Sequence, residues 1–231
     1  FKWALALAKS RAFFLDGNLR LVPLLDMCNH ADDAEEIRSS SMGAFGATKG
    51  AQLIAATNYK VGDEVVCSYG PKSAADYLLE HGFCPPECWK TAVSELSFEI
   101  DSEDRFYDDK LDILEYETYD QAPMDPVQSF DIVSAPGRDG KPDPAMIQFL
   151  RLCKLSATDA FLLESVFRKE VWDFMADPVS EANELEVVTA ITEACQKALD
   201  ELEKCPPGGP PVCAELRASE SKALTRTIEY L

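Results

Sequence analysis

Two apolar runs that each stop on a polar cluster constrain this chain more than any other feature. "LVPLLDMCNH" (21–30) ends on Asp26, Asn29 and His30, and "EVVCSYG" (64–70) ends on Ser68, Tyr69 and Gly70. The aliphatic residues gain from burial, whereas a carboxylate, an amide, an imidazole and a phenol each need a hydrogen-bond partner once shielded from water. The first run reads as a buried strand, and the second as a Val-rich strand after a Gly-Asp turn. Residue chemistry alone leaves two readings open: the polar ends satisfy one another, or they face a ligand.

The character of the sequence changes near residue 92, which predicts two domains, 1–91 and 92–231. Before the change, "FKWALALAKSRAFFL" suits a helix through Trp3, Leu5, Leu7, Ala8 and Ala12, and "DGN" at 16–18 turns the chain into a strand-like "LRLVPLL". "ADDAEEIRSSS" (31–41) reads as an exposed loop or a poorly packed helix, and "MGAFGATKG" and "AQLIAATNY" as short strands around a "TKGAQ" turn. Ser73 is placed to cap a helix "AADYLLEHG" that Gly82 terminates. After the change, "TAVSELSFEID" alternates and "DSEDRFYDDKLDILEYE" opens with acids that favour a helix start. Helical periodicity then marks "DPAMIQFLRLCKL" with Pro144 in its first turn, and "SATDAFLLESVFRKEVWDFM" with Ser156 as N-cap and Asp159 three residues on. It also marks "SEANELEVVTAITEACQKALDELEK" and "AELRASESKALTRTIEYL". "YDQAPMDPVQ", "APGRDGKPDP" and "CPPGGPP" read as Pro-rich connections.

Charge and residue counts exclude several classes. Twenty-two basic against 41 acidic side chains give a net charge of −19, which repels phosphate backbones and anionic lipid, so nucleic acid is not an expected partner. No run of about eighteen apolar residues occurs, so neither a membrane span nor a signal peptide is expected. Several of the eight Cys sit in apolar patterns such as "EVVCSY" and "FLRLCKL", as reduced thiols do, and this suggests a reducing compartment. The close pair Cys84 and Cys88 in "CPPEC" lacks a second pair, so no metal is expected. With only His30 and His81 in the chain, nucleophile-and-base schemes are few, and neither a G-x-S-x-G elbow nor a P-loop is present.

What remains is the pairing of "DMCNH" with "CSYG". In these clusters, and in the helix "AADYLLEHGF" that follows the Tyr, the sequence resembles the SET-domain lysine methyltransferases, specifically the Rubisco large-subunit methyltransferase class. "DRFYDDKLDILE" and "LRLCKLSATDAFLLESVFRKEVWDFM" resemble that class's helical substrate-binding domain. The resemblance implies an α+β chain: the C-terminal part of a β-rich SET domain, then an all-α substrate-binding domain. It implies S-adenosyl-L-methionine as cofactor, held by Asn29 and His30 with His81 and Phe83 beside it. Tyr69 matches the Tyr at the junction of cofactor and lysine channel, with a catalytic and a substrate-binding part. Arg11 and Asp26 match groups lining the substrate side.

The implied activity is direct methyl transfer to a neutral lysine amine of a protein, without a metal or a covalent intermediate. By family habit the protein is a monomer of the chloroplast stroma, with cytoplasm as the alternative, and its substrate is Rubisco large subunit or plastid aldolase. Two other readings are a non-catalytic SET-derived binding module and a SET enzyme acting on a non-plastid protein. The Gly-rich cofactor loop that opens the family's SET domain has no counterpart before "SRAF", so residues 1–231 alone are expected to be inactive or poorly folded. Leu15 stands near a position where the family often has a second Arg, and the segment after His30 lacks the Tyr expected there.

Overall fold

A computed structural model describes residues 1–42, 48–117, 125–167, 169–206 and 208–231, and the chain divides into two units, Phe1–Lys90 and Thr91–Leu231. In the first unit, helix α1 (Lys2–Lys9) leads to a hairpin of β1 (Ala12–Leu15) and β2 (Asn18–Leu21). Leu15 pairs with Asn18, leaving a two-residue turn in which Asp16 and Gly17 have φ of 51° and 75°. Two successive positive φ values make the turn that matches strand twist, and Asp-Gly supplies them.

The run from 21 to 30 is not the continuous buried strand its composition suggests. β2 is exposed along its length, Pro23 removes a ladder donor, and Leu24 turns the backbone sharply at φ 77° and ψ −47°. A 3₁₀ turn over Leu25–Met27 follows, and strand pairing resumes only at Asn29–His30, β3. β3 pairs in parallel with β6 (Val66–Cys67), the expected Val-rich strand in shortened form.

Two local expectations change. The acidic stretch after His30 ends in a strand, β4 (Arg38–Met42), because Ile37 is buried and carries the chain into the core. "TKGAQ" is itself a strand, β5 (Thr48–Gln52), paired antiparallel with β4, rather than a turn. Part of the "MGAFGATKG" strand expectation, residues 43–47, lies outside the described residues. Leu15, Ile37 and Cys67 form the buried centre of this unit, with Cys28, Leu25 and Tyr69 among the partly buried residues against it.

Helix α2 (Ala74–His81) forms as its sequence dictates. The Ser73 hydroxyl oxygen accepts from the Asp76 amide, the Asp76 carboxylate accepts from the Ser73 amide, and Gly82 closes the helix at φ 79°.

The second unit is mainly helical and adds one β ladder. β7 (Ala92–Glu99) pairs antiparallel with β8 (Val127–Ser134) over eight residues each, and β8 is an element the sequence reading passes over as a Pro-rich connection and its sequel. Residues 118–124 of that connection lie outside the described residues. The helices are α3 (Tyr107–Glu117), α4 (Pro144–Cys153), the short α5 (Val171–Phe174), α6 (Glu181–Lys204) and α7 (Pro211–Tyr230). Asp143 caps α4 ahead of Pro144, and Ser180 caps α6. The long helix expected from Ser156 is instead a 3₁₀ segment, Ala157–Leu163, followed by turns and α5. Ser156 makes no capping bond, and the Asp159 carboxylate accepts from the Ser180 hydroxyl at 2.7 Å instead of serving its own turn.

Two hydrophobic clusters hold this unit. One gathers Leu96, Ile132, Met146, Leu150, Val187, Ile191 and Leu224, and the other Ile113, Leu114, Phe149, Leu152, Val171 and Met175. Lys110, fully buried, is satisfied by the Asp104 carboxylate at 2.5 Å and the Cys153 carbonyl at 2.7 Å. Among the described residues no helix is long and apolar enough to cross a membrane.

Candidate active site

The parallel pairing of β3 with β6 brings the two polar clusters together. His30 lies opposite Cys67, the Ala31 amide donates to the Cys67 carbonyl at 3.1 Å, and the Ser68 amide to the Glu35 carbonyl at 3.0 Å. Tyr69 therefore leaves its strand directly beside His30. Its backbone N–H donates to His30 Nδ1 at 3.2 Å, and its hydroxyl donates to the Cys28 carbonyl at 2.9 Å.

These bonds fix the His30 tautomer. Nδ1 accepts from an amide, so the ring proton sits on Nε2. That nitrogen faces the Asp32 carboxylate at 3.0 Å and the Tyr77 oxygen at 3.2 Å, while the Tyr77 hydroxyl donates to the Gly70 carbonyl at 2.9 Å. The His30 side chain is only 4% exposed, so the network is satisfied internally rather than by water.

Of the other residues singled out by resemblance, His81 and Phe83 join the same cluster. The Tyr69 and His81 rings lie 4.6 Å apart, Phe83 sits 6.2 Å from both His30 and His81, and Tyr77 is 5.1 Å from His30. Arg11 reaches the Asp26 backbone carbonyl at 2.9 Å and Met27 Sδ at 3.5 Å, so it meets Asp26 through the main chain. The exposed Asn29 amide donates to Glu64 Oε1 at 2.6 Å.

Tyr77 is the member that sequence reasoning missed. It is 4% exposed and its hydroxyl bridges both clusters. The available signal was its spacing, one helical turn before His81 on the same face of α2.

Burial sets the electrostatics. It raises the Tyr69 phenol above its ordinary pKa, helped by the neighbouring Cys67 and opposed by Arg11. It pushes Tyr77 up to about 12 and the Cys67 thiol, beside Cys28, up to about 11. Both phenols thus stay protonated and donate. The His81 imidazole is pulled below its ordinary value by burial first and by Lys72 second, with Glu80 opposing. His81 Nε2 is buried with no hydrogen-bond partner, and the Glu80 carboxylate is 3.7 Å away. Among the described residues no group of three or more His, Cys, Asp or Glu is arranged to hold a metal ion.

A family model described as Rubisco LSMT substrate-binding matches residues 101–204. Over 208 residues the chain is 38% identical to the chloroplastic ribulose-1,5 bisphosphate carboxylase/oxygenase large subunit N-methyltransferase of Nicotiana tabacum, covering 86% of this chain and 40% of that protein. It is also 38% identical over 209 residues to the chloroplastic [fructose-bisphosphate aldolase]-lysine N-methyltransferase of Arabidopsis thaliana, covering 86% of this chain and 41% of that one. The chain thus spans about two fifths of the length of these curated relatives. Its fold superposes with a TM-score of 0.80 on the SET domain of LSMT bound to lysine and AdoHcy, at 30% identity over 99% of this chain and 54% of that one. Rubisco LSMT bound to AdoMet gives a TM-score of 0.76 at 29% identity, over 100% of this chain and 53% of that one.

Proposed function

We propose that the chain belongs to the Rubisco large-subunit methyltransferase family and that the whole protein is an S-adenosylmethionine-dependent protein-lysine N-methyltransferase. The observation that carries the proposal is the junction of β3 and β6, where the Tyr69 hydroxyl is held on the Cys28 carbonyl and the Tyr69 amide on His30. Residues 1–91 would be the C-terminal part of the SET domain, and residues 92–231 the substrate-binding domain.

The side chains present suit the cofactor. Phe83 keeps 41% of its surface exposed within a cluster of rings, which leaves an aromatic face for a flat base. His81 Nε2 offers a buried polar atom with no hydrogen-bond partner among the described residues, and the exposed Asn29 amide stands at the start of β3. Asn29, His30, His81 and Phe83 would hold the cofactor, which when bound supplies an electrophilic methyl group on a sulfonium.

The chain's own task is alignment. Tyr69, whose hydroxyl proton is held on the Cys28 carbonyl, presents its oxygen as an acceptor for an N–H of the lysine amine and so orients it. Arg11, tied to the turn at Asp26, would fix the substrate side of the channel together with Asp26. The amine must be neutral to attack, and a lysine's ordinary pKa of about 10.4 means that each unit to be overcome near neutrality corresponds to about 1.4 kcal/mol.

The relatives' names support a protein substrate presenting a lysine, with Rubisco large subunit or fructose-bisphosphate aldolase first to be tried, and the chloroplast as the location, within which we place the protein in the stroma. Incubating the full-length protein with methyl-labelled S-adenosylmethionine and a chloroplast lysate should label the lysines of one major protein. Absence of any labelled protein there and in a whole-cell lysate, under conditions where the cofactor is bound, rules the activity out.

A further inference from the structure

An open groove of about 490 Å³ lies in the helical unit between Pro178–Val179 and the first two turns of α6. Glu181, Glu184, Leu185 and Val188 line its helical wall. Their spacing of i, i+3, i+4 and i+7 makes them a single stripe along the helix. A different stripe, Asn183, Val187, Ile191 and Cys195, is the one buried in the core. α6 therefore carries a second partly apolar face, and on it Leu185 is 66% exposed.

The groove is built rather than incidental. Arg151, 7% exposed, donates to both Glu184 carboxylate oxygens at 2.7 and 2.9 Å, and also to the Met175 and Ala176 carbonyls at 3.0 and 2.7 Å. One side chain thereby fixes the helical wall and the segment that leads into Pro178. The Ser180 hydroxyl donates to Asp159 and accepts the Asn183 amide, which holds the corner between the two walls. A preformed groove loses little freedom when a segment enters it.

Charge selects what enters. Residues 176–189 contain Asp177, Glu181, Glu184 and Glu186 and no Lys, Arg or His, and Arg151, the cation that meets the groove wall among the described residues, is already committed to Glu184. First-turn carboxylates suit a helix start by themselves, but an exposed Leu185 beside the half-buried Val188 on the same stripe does nothing for the helix. We propose that this groove docks an amphipathic, lysine- or arginine-bearing segment of the protein substrate, its apolar side chains against Leu185 and Val188 and a cation at Glu181, since Glu184 is already held by Arg151. That the segment comes from a methyl-accepting protein rests on the function proposed above.

The test uses full-length protein and a fluorescein-labelled 14-residue peptide of leucine and lysine at helical spacing, with a glutamate-for-lysine version as control. The cationic peptide binds saturably near physiological salt and the acidic one does not. The double substitution Leu185→Gln with Glu181→Lys weakens binding about tenfold or more. Glu103→Lys, an equal change of charge on another exposed site, leaves it within about twofold. Circular dichroism confirms that the variants fold. No binding by the unsubstituted protein, equal weakening by both variants, or no weakening by the groove variant overturns the proposal. In methylation of a whole protein substrate, the groove variant raises KM and leaves kcat unchanged; a lower kcat at unchanged KM also overturns it. If the unsubstituted protein transfers no methyl group, the proposed activity falls, and the peptide measurement still decides the groove.

Discussion

Tyr69 joins structure to proposed chemistry through one oxygen, and Tyr69→Phe separates the two. Deleting the hydroxyl removes a part-buried bond to the Cys28 carbonyl, which should lower stability by about 1 kcal/mol. It also removes the group that aligns the amine, so kcat for methyl transfer should fall about a hundredfold or more while cofactor affinity holds. Paired urea melts and steady-state kinetics check this, and a rate loss no larger than the stability loss implies would remove Tyr69 from the reaction. His81 offers a second reading at this scale. Its pKa is lowered in the folded protein, by burial first and Lys72 next, so the unfolded chain takes up the proton first as pH falls. The stability it contributes is complete above the unfolded value near 6.5 and declines as pH drops from there toward the lowered folded value. His81→Phe should flatten the stability curve between about pH 7 and 5, and urea midpoints measured across that range would expose a slope that the substitution leaves unchanged.

Between elements, close approach is most exacting where Gly140 meets α7. At φ +74°, a Cβ there would stand 2.1 Å from the Arg226 carbonyl oxygen and 2.9 Å from the Thr227 amide nitrogen, both of them backbone atoms that cannot swing aside. Gly140→Ala should destabilise the helical unit by about 3 kcal/mol, combining left-handed strain with the clash. Gly137→Ala, at φ +86° with nothing within 4 Å, should lose only about 1 kcal/mol. Equal losses in denaturant melts would show that the approach to α7 is looser than this. Neither difference is visible in "APGRDGKPDP", where the two glycines look alike, and this marks where sequence legibility stops. The Ser73 cap, the Gly82 stop and Pro144 in a first helical turn were readable because each is set by its immediate neighbours, while the partners Asp76 and Asp143 came with the structure. β8 was not, since Phe130 pairs with Leu96 and nothing local in "QSFDIVS" announces that partner. The 156–175 stretch misled for the opposite reason: its periodicity is helical, but Asp159 is drawn away to Ser180. In the candidate site, Asn29, His30 and Tyr69 were legible as strand ends, whereas Tyr77 gained its place only when α2 folded back onto His30.

Across the whole molecule, burial is distributed unevenly between the two units. Among the described residues, the buried centre of Phe1–Lys90 gathers only Leu15, Ile37 and Cys67, while Thr91–Leu231 holds two clusters of ten buried residues each. The first unit also leaves Trp3 77%, Phe14 72% and Leu19 64% exposed, and α1 buries none of its residues. Apolar burial contributes about 25 cal/mol per Å², so a segment that buries little has little to hold its backbone bonds closed against water. Opening of α1 and the β1–β2 hairpin should therefore be local and cheap, and opening of α4 and the middle of α6 should approach global unfolding. Hydrogen exchange on residues 1–231 should find the amides of Leu5 to Leu21 exchanging within seconds to minutes, while those of Phe149 to Leu152 and Val187 to Cys195 resist for hours or longer. Protection of α1 equal to that of α6 would mean that the exposed face is covered in solution. In the full-length protein, S-adenosylmethionine held by Asn29 and His30 should slow exchange along β3 and β6 even where α1 stays open, and unchanged exchange there with the cofactor bound would remove the two residues from its site.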